Sequence, residues 1–572
     1  MNRQHLSLMI LGLLTPSLGS TPAVEREEAP GYRLRVVSAL EKVFPDSVYT
    51  ETGPKEATIS LAQNEFEGFQ LIIETPWREI EVQDIEFSAL RGSGNHVMPA
   101  DALSWRRVDY VETAITPAYP VDRVGLFPDP LMPPGRFAIK RNSRAALWIT
   151  LRTKADTVPG IYQGTVTIRT SGLAPSSVPI KVTVWDFALE DEPHLRTLTW
   201  LSSRAISSFY NLKDSAEDRS RLTKYLQKYE DILLNHRLGP GGLVAEGLQK
   251  NQETDQFNFS RIDARLERLF KKGMNVFLMG TAPNLKRQGQ EHYTPEFIAE
   301  FTQRLKEFGD HLRSKGWIDR AYVYVYDEAP ESAWPEVKKM SRAIRAAAPE
   351  LRIIQCLSNP AGVKALRGFV DVFDVYIAHY HETKVEELRS EGTEAWLAVC
   401  CCPADHPNLF IEYPLIDARI IPMFCWKYGV QGFEYWSPNH WARNSDADPE
   451  KRWPGVPWDP NTFGKYNGDG YLLYPGPQGV PYPSIRLEAL RDGFEDYEYL
   501  WKLNQLVEQA KSGGKEAIDQ VEESVRLLSM DELISDEGDF QRTAHRYLAF
   551  REKVAKSILA LKEVLPKPPG SK

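Results

Sequence analysis

Between residues 32 and 186 the chain alternates apolar and polar positions in short runs rich in β-branched residues. A period of two places successive side chains on opposite faces of a strand, so these runs predict half-buried β-strands. Pro159-Gly160 and Ser171-Gly172 separate some of them as turns. Because no long helical period interrupts this part, we expect an antiparallel β-sandwich over residues 24–190. The clearest strand candidates are residues 57–61, 69–73, 145–151, 164–168 and 180–185.

From about His194 the pattern changes to apolar runs of strand length, separated by amphipathic helical stretches. Thr294 and Pro295 give a clear helix start, an N-cap followed by proline at the first helical position. Repeated strand–helix units predict a (β/α)8 TIM-type barrel over residues 191–510. A doubly wound sheet is the alternative, but no glycine-rich phosphate loop follows the first strand. The eight predicted strands are residues 195–200, 242–245, 275–279, 321–326, 352–357, 373–378, 396–400 and 432–436, and the predicted helices include 217–235, 261–272, 295–315 and 334–347.

Two further segments complete the predicted architecture. Residues 437–483 are rich in Trp, Pro and Gly and too numerous for a simple connection, so we expect a functional loop or lid. Residues 484–507 predict a helix, and residues 511–572 predict a charged helical extension outside the barrel that ends in a frayed tail. The expected fold class is therefore multidomain: an N-terminal antiparallel β-sandwich, a (β/α)8 TIM-type barrel and a C-terminal helical extension.

The first 23 residues have the three-part pattern of a secretory signal peptide. Residues 1–5 contain one Arg and no acid, residues 6–14 are mostly apolar, and residues 16–23 are mostly small or helix-breaking. We therefore expect a cleaved signal peptide over residues 1–23 and a periplasmic or secreted protein. No cysteine precedes Cys356, which argues against a lipid anchor. A buried N-terminal helix is the alternative, and the shortness of the apolar run speaks against it.

Charge and composition exclude several classes of partner. The chain has 69 Lys and Arg against 78 Asp and Glu, a formal charge of -9. This balance argues against a nucleic-acid binder, which would carry a basic stripe, and against a polybasic membrane-surface protein. No internal apolar run reaches the roughly twenty residues that a membrane helix needs, so we expect no membrane contact in the mature form.

The cysteines suggest packing rather than metal binding. Three of the five, Cys400 to Cys402, are consecutive and lie at the end of the predicted strand 396–400 and directly after it. Consecutive side chains alternate between the two sides of a strand, so the three thiols cannot easily reach one metal ion. We expect small buried residues on a barrel strand and no metal site.

The clearest candidate chemistry lies at Asp327 and Glu328. Residues 321–326 alternate Tyr and Val and lead directly into the two acids. On the fourth strand of a barrel, both would lie at the C-terminal mouth, where barrel enzymes carry their catalytic groups. Glycoside hydrolysis needs one carboxyl group to protonate the leaving oxygen and a second group at the anomeric carbon. The alternative is two exposed acids at a helix start, where acids suit the helix dipole.

Aromatic and polar residues near the predicted strand ends are candidate sugar contacts. Aromatic faces are apolar and weakly negative, so they suit the C–H faces of sugars. On this basis Trp436, at the end of the last strand, and Trp426 are predicted to bind substrate. Tyr380 follows the sixth predicted strand, and Asn439 and His440 follow the eighth. The alternative for each of these aromatic residues is core packing.

An ordered set of motifs resembles the catalytic domain of glycoside hydrolase family 123. The set consists of Asp327-Glu328 after a Tyr/Val strand, Gly-Phe-Glu-Tyr-Trp at residues 432–436, Gly-Asp-Gly-Tyr-Leu-Leu-Tyr-Pro-Gly at 468–476, and residues 483–499 with their Arg-Leu-Glu-Ala-Leu-Arg-Asp-Gly run. Residues 64–70 and 159–165 resemble the β-sandwich that precedes this domain. The resemblance covers most of the chain beyond the predicted signal peptide.

The resemblance implies a retaining, substrate-assisted β-N-acetylgalactosaminidase-like enzyme that acts on 2-acetamido sugars in glycans. In such an enzyme the substrate's own acetamido oxygen attacks the anomeric carbon. By resemblance, Asp327 would orient and polarise the acetamido group, and Glu328 would be the general acid and base. A carbohydrate is then the expected partner, and neither a metal nor an organic cofactor is needed.

Two other functions stay open at this point. Glu434 lies within the last predicted strand and shares a face with Trp436, so it could act with Glu328 in an ordinary two-carboxylate glycosidase. We favour a structural Glu434 that is ion-paired with an arginine or lysine. A non-catalytic glycan-binding protein is the third possibility, and the presence of both Asp327 and Glu328 argues against it. The charged residues from Arg486 to Asp496 recur at helical spacing, which predicts a structural network.

Overall fold

The computed structural model describes most of the chain as two β-containing domains with a helical extension. The described residues are 31–49, 53–113, 117–245, 248, 257–357, 359–401, 405–441, 458–461, 463–511 and 515–565. The predicted signal peptide and the predicted tail at 566–572 lie outside these residues.

The N-terminal domain is β-rich, as the alternating pattern predicts. One sheet has the strand order β1-β3-β10-β7-β8, and the main path of the other is β2-β12-β11-β4-β9. Their inward side chains, such as Ile73, Leu147 and Val182, form a core of their own. The pairing is antiparallel except between β2 and β12, which run parallel. The strands are β1 Arg33–Ser38, β2 Ala57–Gln63, β3 Phe66–Thr75, β4 Ile80–Phe87, β5 Leu90–Gly92, β6 Val97–Met98, β7 Leu103–Thr113, β8 Gly125–Met132, β9 Phe137–Ile139, β10 Ser143–Arg152, β11 Gly160–Thr170 and β12 Ser176–Ala188.

The second domain is a barrel-like parallel sheet with seven strands in the described residues, in the order β13-β19-β18-β17-β16-β15-β14. Seven of the predicted runs overlap these strands, but the predicted strand 242–245 is wrong, because that segment is a turn. The strands are β13 Arg196–Thr199, β14 Phe277–Thr281, β15 Ala321–Tyr324, β16 Arg352–Leu357, β17 Val372–Tyr376, β18 Glu394–Ala398 and β19 Gly432–Tyr435, and a small hairpin follows with β20 Leu473–Pro475 and β21 Pro481–Pro483.

The irregular segment 239–242 fills the gap between β13 and β14. The Thr199 amide donates to the Gly239 carbonyl at 2.8 Å, and the Leu278 amide donates to the Gly241 carbonyl at 3.0 Å. A Cβ atom at Gly239 or Gly241 would collide with the backbone carbonyl oxygens of Thr197 or Val276. The close approach therefore requires glycine, and Pro240 lacks the amide that a regular strand would use.

The helices lie between the strands and at the C-terminal end. The predicted helix start at Thr294 is confirmed, since its hydroxyl accepts from the Phe297 amide at 3.1 Å. None of the described helices is long and apolar enough to cross a membrane. Among the described residues, the helices of four or more residues are α1 Ser203–Phe209, α2 Ala216–Asn235, α3 Ser260–Lys271, α4 Pro295–Lys315, α5 Trp334–Ala347, α6 Pro360–Leu366, α7 Tyr380–Thr383, α8 Val385–Ser390, α9 Leu415–Lys427, α10 Ile485–Ala510, α11 Lys515–Leu528 and α12 Ala544–Val564.

A network of buried ion pairs joins the β-rich domain to the barrel. Arg419 pairs with Glu67 of β3 at 2.9 Å and with Asp496 of α10 at 2.8 Å. Arg551 pairs with Glu65 and Asp496 at the same interface. Buried charges are tolerated when each has partners that replace its lost hydration. The predicted structural role of the charged α10 cluster is therefore confirmed.

Arg486 extends this network toward the loop that follows the last barrel strand. Its guanidinium donates to both carboxylate oxygens of Asp129 in β8, at 2.9 and 2.8 Å. The remaining donors reach the carbonyl oxygens of Gly468 and Tyr471 at 2.9 and 2.5 Å. Bidentate pairing of this kind fixes the geometry of both partners. The loop segment around Asp469 is therefore held against the N-terminal domain.

Candidate active site

A cleft of about 710 Å³ lies at the carboxyl ends of the parallel strands. Loops at this end of parallel barrels carry the catalytic groups of barrel enzymes. The described residues that line the cleft are Trp200, Thr281, Ala282, Pro283, Asn284, Arg287, Gln288, Tyr324, Asp327, Glu328, Cys356, Asp374, Tyr376, Ala398, Val399, Cys400, Cys401, Glu434, Trp436, His440 and Phe463.

The backbone that carries the two predicted acids is strained. Strand β15 ends at Tyr324, two residues earlier than predicted, and the chain then turns sharply. Tyr326 and Glu328 have φ angles of 35° and 48°, a region that non-glycine residues rarely adopt. The Gln355 side-chain amide donates to the Tyr326 carbonyl at 2.5 Å, which supports the turn. Such strain is typical of residues whose direction matters for function.

Asp327 is held by polar contacts on one side of the cleft. The Tyr324 hydroxyl donates to Asp327 Oδ1 at 3.1 Å, and Arg287 Nη2 lies 3.1 Å from Asp327 Oδ2. The Asn284 side-chain amide donates to the Asp327 backbone carbonyl, also at 3.1 Å. Asp327 is therefore arranged to accept a hydrogen bond from a bound molecule.

Glu328 turns toward a different partner. The Tyr376 hydroxyl donates to Glu328 Oε1 at 2.9 Å. Partial burial raises the pKa of the Glu328 carboxyl above its usual value, the negative charge of Asp327 adds to this, and the Tyr376 hydrogen bond opposes it. A carboxyl group with a raised pKa can donate a proton near neutral pH. The two consecutive acids thus differ in their contacts.

Glu434 lies at the floor of the cleft with 5% of its surface exposed. The Trp200 indole donates to Glu434 Oε1, and Glu434 also hydrogen-bonds to the carboxyl group of Asp374 on β17. Burial raises the pKa of Glu434 well above its usual value, and the charge of Asp374 raises it further. Burial also raises the pKa of Asp374, to about 6. The raised pKa favours the protonated form of Glu434 beside Asp374. The expected ion pair with an arginine or lysine is wrong within the described residues.

Trp436 and His440 line the cleft, as predicted. The ring centroids of Trp436 and His440 are 5.0 Å apart, and Phe463 lies 4.9 Å from Trp436. The Trp436 indole donates to the buried Asp469 carboxylate at 2.9 Å. Because Arg486 fixes the loop around Asp469, the orientation of the Trp436 ring depends on the contact between the domains. An aromatic wall of this kind suits the apolar face of a sugar.

Three of the predicted sugar-contacting residues lie away from the cleft. Asn439 is fully buried and exchanges hydrogen bonds with the backbone of Ser202, both at 3.0 Å. Tyr380 lies in α7, because β17 ends at Tyr376, and it packs on Tyr428 with ring centroids 4.3 Å apart.

Trp426 is the third of these residues. It donates its indole hydrogen to the Leu528 carbonyl at 3.0 Å and thereby holds the C-terminal extension. The side chain of Trp426 points outward from α9, a direction that the position of a residue in the sequence does not reveal.

Two cysteines also differ from expectation. Strand β18 ends at Ala398, so Cys400 and Cys401 lie in a bend and not on a strand. Both are half-buried in the cleft wall, with their Sγ atoms 3.5 Å apart. Cys402 lies outside the described residues.

Several residues of the cleft escaped the sequence analysis. Trp200 ends the first predicted strand, and Asp374 and Tyr376 lie within the sixth. Their positions near predicted strand ends could have identified them as residues of the cleft. Asn284 and Arg287 come from the loop after β14, where no periodic pattern indicates direction.

The family model described as the glycoside hydrolase 123 catalytic domain matches residues 277–503, and the glycoside hydrolase 123 N-terminal domain matches residues 64–170. No curated protein matches the chain.

Among solved structures, the chain is similar to a family 123 glycoside hydrolase from Clostridium perfringens, which was analysed for glycolipid glycan hydrolysis. The TM-score is 0.66 at 15% sequence identity, and the match covers 93% of this chain and 98% of that chain. This likeness concerns the fold. Two other solved structures have TM-scores of only 0.30. One is a Bacteroides ovatus GH5 xyloglucanase, with 9% identity over 81% of this chain and 100% of that chain. The other is an Eisenbergiella tayi GH2 beta-galacturonidase, with 9% identity over 75% of this chain and 69% of that chain. Because the two family matches together span more than half of the sequence, the chain belongs to glycoside hydrolase family 123.

Proposed function

We propose that this glycoside hydrolase is a retaining, substrate-assisted β-N-acetylgalactosaminidase-like enzyme that acts on 2-acetamido sugars in glycans. The signal-peptide pattern of residues 1–23 supports its export to the periplasm or the medium. The related enzyme from Clostridium perfringens was analysed for glycolipid glycan hydrolysis, which makes glycolipid glycans one substrate class to try.

The proposed reaction has two steps. First, the acetamido oxygen of the substrate attacks the anomeric carbon while Glu328 gives its proton to the leaving oxygen. Asp327 accepts the acetamido N–H, orients the group and stabilises the positive charge that develops on it. Second, Glu328 takes a proton from water as that water opens the oxazoline-type intermediate. The two displacements at one carbon retain its configuration.

One observation carries this proposal: the two consecutive acids have different environments in one cleft. Glu328 has a raised pKa and a single tyrosine donor, as suits an acid that gives up and regains a proton. Asp327 lies between a tyrosine hydroxyl and a guanidinium, which hold its side chain in position to accept from a substrate. Pairs of acids whose surroundings differ in this way divide acid and electrostatic roles between them.

The surroundings of Glu434 argue against the two-carboxylate alternative. A nucleophile must be ionised and free to approach the anomeric carbon. Glu434 is instead buried, accepts from Trp200 and has a pKa well above its usual value, which disfavours the ionised form. These contacts favour a role in shaping the floor of the cleft.

Glu434→Gln tests the proposal against this alternative. The glutamine side chain has an oxygen that can accept from Trp200 and an NH₂ group that can donate to Asp374. We therefore expect activity on an aryl 2-acetamido-β-galactoside to stay within about tenfold of the unmodified enzyme. A nucleophile at this position would make the variant inactive. Binding of the glycoside without turnover by either protein would favour a glycan-binding function. The measurement is kcat and KM for both proteins.

Tyr376→Phe should move the pH profile of the enzyme. The Tyr376 hydroxyl stabilises the charged form of Glu328, so its removal raises the pKa of that carboxyl further. The first step needs protonated Glu328, and the basic limb of kcat/KM should therefore move to higher pH. Tyr380→Phe is the matched control, because Tyr380 is bonded to the Tyr428 carbonyl away from the cleft. A limb that stays in place, or moves to lower pH, would contradict the assignment of Glu328.

A further inference from the structure

Cys400 and Cys401 are two half-buried cysteines of the cleft wall. Their Sγ atoms lie 3.5 Å apart because the bend after β18 turns both side chains toward the same side. Both residues are half-buried, whereas Cys356 and Cys425, the other described cysteines, are buried. Neighbouring residues on a strand would point their thiols apart. The bend thus creates an accessible pair of adjacent thiols.

This pair is coupled to the predicted acid. The Tyr376 hydroxyl interacts with the sulfur of Cys400 and also donates to Glu328. Cys400 acts electrostatically on Glu328 as well. A chemical change at Cys400 therefore alters the surroundings of both Tyr376 and Glu328.

We propose that Cys400 and Cys401 form a redox-active dithiol that a low-molecular-mass disulfide oxidises to a vicinal disulfide in the cleft wall. One cysteine thiolate attacks the oxidant, which forms a mixed disulfide and releases one thiol. The second thiolate then attacks the protein sulfur, closes the Cys400–Cys401 bond and releases the second thiol. The cysteine pair loses two electrons and the oxidant gains them, while the two cysteine protons end on the released thiols.

The geometry favours a reversible bond over a structural one. Adjacent Cα atoms are about 3.8 Å apart, which is shorter than the usual span of a disulfide. A bond closed across this distance is strained and more easily reduced, and strained or exposed disulfides are the labile, regulatory ones. The barrel has its own large core and needs no crosslink at this position.

Oxidation should change the function of Glu328. The disulfide removes both S–H groups and alters the contact between Cys400 and Tyr376. This consequence rests on the proposed function, whereas the thiol chemistry does not. The two parts therefore need separate readouts.

The first readout is the mass of the peptide that contains residues 400–402. The full-length protein is reduced, treated with oxidised glutathione and alkylated with iodoacetamide in its folded state. We expect this peptide to lose two hydrogens and both alkyl groups on Cys400 and Cys401, and dithiothreitol to restore them. Cys402→Ser should behave in the same way, and Cys400→Ser should not lose two hydrogens. Continued alkylation of both thiols, or the same loss in Cys400→Ser, would overturn the proposal.

The second readout is the pH profile of kcat/KM for the oxidised and reduced forms of Cys402→Ser. We expect the basic limb to differ between the two forms, and the same treatment of Cys400→Ser to leave the limb in place. Identical limbs would overturn the coupling to Glu328. If no glycoside is cleaved at all, the proposed function fails while the mass measurement still decides whether the dithiol forms.

Discussion

Glu328→Gln is expected to lower kcat/KM by about 10²–10⁴-fold on a glycoside with an alcohol leaving group, the loss typical of removing a general acid. The amide has the shape of the carboxyl group but cannot donate a proton to the leaving oxygen. A dinitrophenyl leaving group needs no such proton, so the loss on that substrate should be much smaller in the glycosylation step. The measurement is kcat/KM for a series of leaving groups of decreasing acidity.

The control for this variant is Glu331→Gln. Glu331 is exposed, lies three residues further along the chain and does not line the cleft. Its substitution should leave both substrates unaffected. An equal loss on activated and unactivated substrates for Glu328→Gln would contradict its role as the acid.

Asp327→Asn is expected to lower activity by about 10²–10³-fold, the loss typical of removing one electrostatic contact to a transition state. The variant keeps the size of the side chain but loses the charge that stabilises the acetamido group as it attacks. An activated leaving group does not replace that charge. We therefore expect the loss for Asp327→Asn to persist on the dinitrophenyl substrate, in contrast to Glu328→Gln.

The contrast between these two variants is more informative than either loss alone. If Asp327→Asn were rescued by the activated leaving group and Glu328→Gln were not, the two roles would have to be exchanged. Thermal unfolding of both variants provides the control for folding. Neither carboxyl group belongs to the buried network between the domains, so we expect unchanged midpoints.

The sequence predicted the strands of the barrel better than the directions of individual side chains. Apolar runs located seven parallel strands, and Asp327 and Glu328 followed from the end of one of them. The remaining run, residues 242–245, does not form a strand, and the preceding residues 239–242 pack too closely for a regular one. Glycine and proline in that segment allow its backbone to approach the neighbouring strands closely, and the periodicity of apolar residues does not indicate such an approach.

The surroundings of each site residue depend on contacts across the sheet. Asp374 and Glu434 meet across the intervening strand β18, and no spacing along the chain reveals that pairing. Tyr380 was predicted at a strand end, but β17 stops four residues earlier and a helix begins there. Trp436 does line the cleft, because it directly follows β19 at the carboxyl end of the sheet.

The measurement that tests the central claim most directly is the hydrolysis of matched aryl β-glycosides with and without the 2-acetamido group, in galacto and gluco forms. The unmodified enzyme, Asp327→Ala and Glu328→Gln would be assayed side by side with leaving groups that need protonation. The account predicts that only the 2-acetamido galactoside is cleaved and that both variants lose this activity. Cleavage of the 2-hydroxy glycosides at a comparable rate would contradict substrate assistance and would favour the two-carboxylate alternative with Glu434.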